Sequence, residues 1–352
     1  MKKNFILSVL ACLLVGSLAF AEEAVIIDFS QLSADIIDDG NGVMTQNRRT
    51  TVYYGQNAGM TFTEEQKALM RSSLTFKNWT VVLNSSARRT ESLANSQVMP
   101  AKVKDGATVP FAGKEILGVR VYFPKSNSNA SARIVPPFNI PVFQTKTQIG
   151  DDGVDNGPSD EDKASSTYRF EEGFGVVMNV GTIKSITVTT LGMNFPHGLY
   201  VILSNEDGEE RRYFMGYLNF DGWKELTWNN ATYITDVRAR ELRTYPIYPQ
   251  ARPHVRFVAL EITRNGADIA EDFIGYFKDV KIVYDKAVLE SERDIVDEDI
   301  WGIVSARETE RQNSEMTKFG DRQLQLFIER EKMATETGTT SSLVPPESGA
   351  AE

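Results

Sequence analysis

A chain of 352 residues with 48 Asp and Glu against 38 Lys and Arg carries a formal net charge of −10. Such an acidic chain, without a concentrated basic patch, is a poor partner for nucleic acid or anionic lipid. One cysteine and two histidines exclude a disulfide framework and a metal-spaced His/Cys cluster, while the length is ample for a sizeable hydrophobic core.

The chain opens with Met1-Lys2-Lys3, an apolar run from Phe5 to Leu14 that weakens toward Phe20, and Ala19-Phe20-Ala21 before Glu22. This is the pattern of a secretory signal peptide with an A-x-A site, and cleavage is expected between Ala21 and Glu22. The run is short and interrupted by Gly16 and Ser17, so no membrane insertion is expected once it is removed. Cys12 lies inside the run. A lipoprotein-type cut there would leave a very short apolar core, and the mature chain therefore has no cysteine in a compartment that permits disulfides.

Val25 to Phe29 reads as a first strand, followed by a polar loop to about Thr50. Thr63 with Gln66 forms a capping box, which places a short helix from Glu64 to about Arg71. A strand from Leu74 to Leu83 contains Trp79. Ile116 to Phe123 is a strand with Leu117, Val119, Val121 and Phe123 on one face. From Arg133 to Phe143, Pro136, Pro137 and Pro141 remove ladder donors, so this segment reads as edge or connector. Asp151 to Asp162, dense in carboxylates and glycine, reads as an exposed loop. Strands resume at Phe174 to Val180 and Ile183 to Leu191.

Gly198 to Trp228 reads as three consecutive strands in one meander. Asn205-Glu206-Asp207-Gly208 closes the first hairpin, and Asp221-Gly222 has the chemistry of a type I′ turn, which sets Phe220 opposite Trp223. That register puts Phe214 and Leu218 on one face and Tyr217, Leu226 and Trp228 on the other. A sheet apolar on both faces needs cover on both, and an element packed on its outer face is preferred here to a bulge after Gly222. Arg256 to Arg264 and Ile274 to Tyr284 complete the set. Many short strands separated by turn chemistry indicate a mainly β fold, antiparallel sheets packed as a sandwich or jelly roll.

From Lys286 to Ala334 the spacing turns helical, with Val296, Ile300 and Ile303, then Phe319, Leu326 and Met333 seven residues apart. Two helices broken between Ser305 and Gly320 are expected. Gln323 and Arg330 weaken the seam, so Phe319, Leu326 and Met333 form a candidate interaction stripe, toward the sandwich or toward a neighbouring subunit. The expected organisation is a signal peptide over 1–21, a β-sandwich domain over 22–285, a helical segment over 286–334 and a disordered tail over 335–352.

Reaction chemistry finds little support. His197 and His254 each adjoin a proline and read as loop residues, and nothing in the sequence pairs either with a nucleophile. The acidic loop departs from the EF-hand pattern at Gly153 and Asn156, so a solvated loop is the better reading than calcium. Sequons at Asn78, Asn84, Asn129 and Asn230 are a common tripeptide. Tyr53, Tyr54, Trp79, Tyr217, Trp223 and Trp228 would suit a sugar-stacking platform, although strand aromatics are more often core. No cofactor is implied.

Four blocks carry a resemblance: EEAVIIDFSQL after the signal peptide, EILGVRVYFPKSNSNASARIVPPFNIPVF, the long VGTIKSITVTTLGMNFPHGLYVILSNEDGEERRYFMGYLNFDGWKELTWNN, and the closing GYFKDVKIVYDKAV. In length and order they resemble the spirochaete flagellar filament outer layer (sheath) protein family, FlaA, over roughly Glu22 to Ala334. The resemblance implies a non-enzymatic subunit secreted to the periplasm. There it would coat a core filament of a different flagellin, alongside copies of itself or related sheath proteins, and affect filament stiffness, shape and motility. The opening IDF and closing DVKIVYD strands also look like carbohydrate-binding-type jelly rolls. A secreted sugar-binding module is therefore the alternative.

Overall fold

The computed structural model describes residues 21–38, 44–46, 49–143, 170–241, 246, 248–268, 272–288 and 294–336. In chain order the strands begin with β1 (Ala21–Asp28), β2 (Ile36–Asp38), β3 (Met44–Gln46), β4 (Thr51–Tyr53), β5 (Arg71–Ser73), β6 (Thr80–Leu83), β7 (Gln97–Lys102) and β8 (Glu115–Tyr122). They continue with β9 (Ala130–Val135), β10 (Val176–Met178), β11 (Val180–Met193), β12 (Gly198–Ser204), β13 (Glu210–Tyr217), β14 (Asp221–Asn229), β15 (His254–Arg264) and β16 (Asp272–Lys286). The helices are α1 (Glu64–Ala68), α2 (Thr90–Asn95), α3 (Tyr233–Glu241), α4 (Asp297–Trp301) and α5 (Ile303–Glu336).

Two antiparallel six-stranded sheets form a sandwich of the jelly-roll type. One runs β14-β11-β16-β8-β7 with β1 also on β16, and the other runs β13-β12-β15-β9-β6 with β10 also on β15. The fifteen residues of β16 are long enough to serve three partners: β8 along its first half, β1 along its second, and β11 on the opposite edge. Ala21 thus pairs with Asp285, and the first and last strands are neighbours.

Period-two alternation explains the filling. Leu117, Val119, Val121 and Phe123 all point into the sandwich and are buried, as the spacing of β8 requires. They meet Val201, Leu260 and Ile262 from the opposite sheet in one continuous core. Phe29 stands edge-on to Trp79 at 5.6 Å and to Phe257 at 6.2 Å, the geometry aromatic quadrupoles favour. Ile116 points the other way. With Val103, Phe111, Trp223 and Tyr276 it makes a second small cluster on the outer face of the first sheet, where Phe111 meets Trp223 at 4.7 Å.

Several sequence expectations are corrected. The meander is not one sheet: β12 and β13 form the expected hairpin, but β14 pairs with β11 in the opposite sheet, Met193 to Asp221 through Ser185 to Asn229. Residues 218–220 cross between the sheets. Leu218 anchors the crossing in the core, and its N–H, with that of Asn194, is satisfied across the crossover by His197 and Phe220 carbonyls. Gly222, with φ +92°, opens β14 instead of making a turn. The bulge lies at Met215, opposite Leu199/Tyr200, beside Gly216 at φ +130°. It turns Met215 inward and leaves Phe214 exposed, so Phe214 and Leu218 do not share a face.

Trp79 precedes β6, after a 3-10 turn at Phe76–Asn78, and its indole N–H donates to the Leu74 carbonyl at 2.7 Å. β9 is a central strand between β15 and β6, and the three prolines follow it. Asn179, at φ +58°, separates β10 from β11 and passes the chain from one sheet to the other. The capping box at Thr63 and Gln66 is formed in both directions, and α1 ends at Ala68. The C-terminal helices break at Gly302, which caps α4 in the left-handed region at φ +57°. α5 then runs unbroken through Gly320. The acidic segment 151–162 and the tail 337–352 lie outside the described residues, as do residues 1–20.

Candidate interaction surface

The outside of the sandwich carries the features that remain after the core is filled. α5 packs along a face defined by Phe319, Gln323 and Phe327, each buried. Phe319 meets Phe138 edge-on at 5.2 Å, Phe327 meets Phe62 at 6.4 Å, and Gly320 lies against Asn57. Glu315 accepts the Val142 N–H at 3.0 Å and stands 3.7 Å from Arg256. Of the candidate stripe, Phe319 faces inward, Leu326 is 36% exposed and Met333 is 66% exposed. Residues four apart advance about 40° around a helix while residues seven apart fall back about 20°. The buried face and the stripe therefore share Phe319 and then diverge, which leaves Leu326 and Met333 at the rim.

Between α5 and the outer face of the second sheet lies an open cleft of about 1150 Å³. Ile36, Met44, Phe138 and Leu326 give it apolar surface, and Lys77, Arg322 and Arg330 line it as well. Its carboxylates are occupied. Asp35 accepts from Ser73, Thr50 and Thr51 with Lys77 at 3.8 Å, and Glu210 meets Arg133 at 3.3 Å.

Beyond the helix, the same outer face shows Tyr200, Phe214 and Tyr217, with centroids 5.0 Å and 5.2 Å apart. Arg212 sits over the Tyr200 ring at 4.4 Å and bonds Glu261 at 2.7 Å. The three rings are inclined by 46° and 75°, so they offer no flat platform for a sugar ring. Of the other aromatics, Tyr54 and Trp79 are buried in the core, Trp223 packs on Phe111, and Trp228 packs on Tyr213 at 4.8 Å. The structure does not gather them.

Ala21 and Glu22 open β1, where Glu22 meets Lys286 at 2.9 Å. Neither histidine is in an open loop. His197 is enclosed by Phe123, Phe195 and Phe273, and His254 begins β15 in the interior. Burial holds both imidazoles down to about 4, and no ring nitrogen has a hydrogen-bond partner among the described residues. Asn78 and Asn230 use their amide groups internally, on the Ser73 and Ile183 carbonyls. Sequence reading missed Tyr200 and Trp301 as surface features. Tyr200 has the strand composition of a core residue, and its pairing with Phe214 across the hairpin reveals its face.

A jelly-roll sandwich with an external helical strap defines a β-sandwich protein whose exposed apolar and charged features lie on its outer faces. A family model described as flagellar filament outer layer protein FlaA matches residues 43–293, and the chain belongs to that family. It is 55% identical to the flagellar filament outer layer protein of Treponema pallidum (strain Nichols), covering 97% of both chains. It is 40% identical to that of Spirochaeta aurantia over 95% of this chain and 94% of the other. The protein of the same name from Borreliella burgdorferi is 32% identical, over 81% and 75%. Among solved structures, carbohydrate-binding modules of the β-sandwich superfamily align at 12% identity and a TM-score of 0.29, over 59% of this chain and 58% of the other.

Proposed function

We propose that this chain is a structural subunit of the outer sheath layer of the periplasmic flagellar filament. It coats a core filament of a different flagellin, in company with copies of itself or related sheath proteins, and adds stiffness that motility depends on. The observation that carries the reading is the correspondence with the Treponema outer layer protein over 97% of both chains, which leaves little room for a different architecture. A signal peptide removed between Ala21 and Glu22 delivers the subunit to the periplasm. The mature protein then comprises the sandwich to about residue 285 and the helical segment beyond it. No catalytic role is proposed, since the two histidines are sealed among hydrophobic side chains.

The test is to isolate periplasmic filaments and ask whether this chain copurifies with them, starting at Glu22 by N-terminal sequencing. Filaments from cells lacking the gene are expected to be thinner and more flexible. Filaments devoid of the chain, or a mature protein that retains Met1, would contradict the reading.

A further inference from the structure

Five exposed large apolar side chains fall within nine residues at the junction of the sandwich and α5: Ile295, Val296, Ile300, Trp301 and Ile303. Asp294, Asp297 and Asp299 are interleaved with them. Apolar surface of this density on one short turn marks a contact site, and an exposed tryptophan is the residue that most often anchors one. The turn is also held in shape. Glu298 accepts the Ser305 N–H at 2.7 Å, the Val304 N–H at 3.3 Å and the Tyr248 hydroxyl at 2.9 Å. Gly302 turns the chain in the left-handed region and donates to the Glu298 carbonyl at 2.8 Å. A knob fixed before binding loses little entropy on docking.

The cleft beside α5 has the opposite character. Ile36, Met44 and Leu326 expose apolar surface there, its acids are engaged internally, and Arg322 and Arg330 have no ion pair among the described residues. An acidic, apolar knob therefore meets a basic, part-apolar cleft on the same chain. The two cannot meet within one molecule, because the continuous helix from Ile303 to Arg322 holds them about 30 Å apart. We infer that the Ile295–Ile303 knob of one copy docks in the α5 cleft of the next, a head-to-tail contact between copies of this chain.

A contact between two different patches repeats without closing unless its rotation happens to make a ring. Open propagation suits a layer that runs along a filament, and in that setting the inference rests on the sheath reading. Screening by salt should weaken the contact, since charge contributes to it.

The test is sedimentation velocity of the purified mature protein over a range of concentrations, with two variants whose substitutions are exposed. One carries Ile300→Ser and Trp301→Ala in the knob, and the other Arg322→Glu and Arg330→Glu in the cleft. The unsubstituted protein is expected to grow into open-ended oligomers, and each variant to associate at least about tenfold more weakly with an unchanged melting curve. An equimolar mixture of the two variants should stop at a dimer, because it contains one intact knob facing one intact cleft. Variants that associate as the parent does, a parent that stays monomeric, or a mixture no more associated than its components would overturn the inference. Co-sedimentation with isolated core filaments is scored separately. Filament binding without self-association removes the head-to-tail contact and leaves the sheath reading standing. Self-association that both variants lose, without filament binding, does the reverse.

Discussion

His197, with no exposed surface, stacks on Phe123 at 5.4 Å and contacts Phe273 at 5.1 Å. His254 is 3% exposed. Burial holds each near 4, below the usual 6.5; Asp268 and Arg264 act on the first, and Arg311, Arg256 and Glu308 on the second. Between pH 4 and 6.5 the unfolded chain therefore binds protons that the folded chain refuses. Their contribution is complete above pH 6.5 and is lost as pH falls toward 4, at about 2 kcal/mol per histidine between pH 7 and pH 5. Denaturant titrations at these two pH values should show that drop, and His197→Phe should remove about half of it; an unchanged pH slope in the variant would contradict the assignment. A second buried group works through pairing. Lys278 donates to Asp28 at 2.8 Å and to Asp279 at 3.0 Å, with all three side chains at most 15% exposed. Burial alone would raise Asp28, but the Lys278 and Ser30 hydrogen bonds reverse it and leave it lowered. Lys278→Met strands two interior carboxylates and should cost about 3–5 kcal/mol. Chemical denaturation at pH 7 checks this, and a loss below about 1 kcal/mol would mean that water already reaches the pair.

At the scale of elements, α5 depends on a close approach at one position. A Cβ on Gly320 would stand 2.3 Å from Asn57, so Gly320→Leu should lift the helix from the 55–57 turn and loosen Phe319 and Phe327. A loss of about 1–3 kcal/mol is expected, as for other overpacked sites, with faster limited proteolysis within residues 303–336. A variant digested like the parent would show that the helix is held by its other contacts. The same glycine shows how far the sequence could be read. Local signals were legible: the Thr63/Gln66 capping box and the alternation in β8 need only near neighbours. Gly302 and Gly320 look alike in sequence. One ends a helix and the other lets it pack, because only the second meets a residue distant in sequence, the Asn57 side chain. For the same reason Asp221-Gly222 reads as a hairpin turn, yet the long edge of β11 competes for β14 and wins. β9 was obscured by the prolines that follow it. The candidate surface was legible only as a helical spacing, since the face of a helix is chosen by what it packs on, here Phe62 and Phe138.

At the scale of the whole molecule, the outer face of the second sheet is divided between a strap and an open patch, and the strap is the part that the rest of the fold can spare. Asn179 and Val288 exchange two hydrogen bonds, each of 2.8 Å, so a chain ending after Val288 keeps β16 and the whole sandwich. Such a truncated chain loses the rings that cover Phe138 and Phe62, and with them the cleft and the Ile295–Ile303 turn. It should retain the strand signature in circular dichroism, bind more of a hydrophobic dye than the intact protein does, and fail to coat core filaments. The two effects have different origins and can be separated. Phe319→Ala with Phe327→Ala should increase dye binding while leaving the knob in place, whereas substitution of Ile300 and Trp301 should weaken the contact between copies with no gain of dye. A truncated chain that coats core filaments at normal occupancy would place the filament-binding surface on the sandwich itself, with the Tyr200, Phe214 and Tyr217 patch as the first region to substitute.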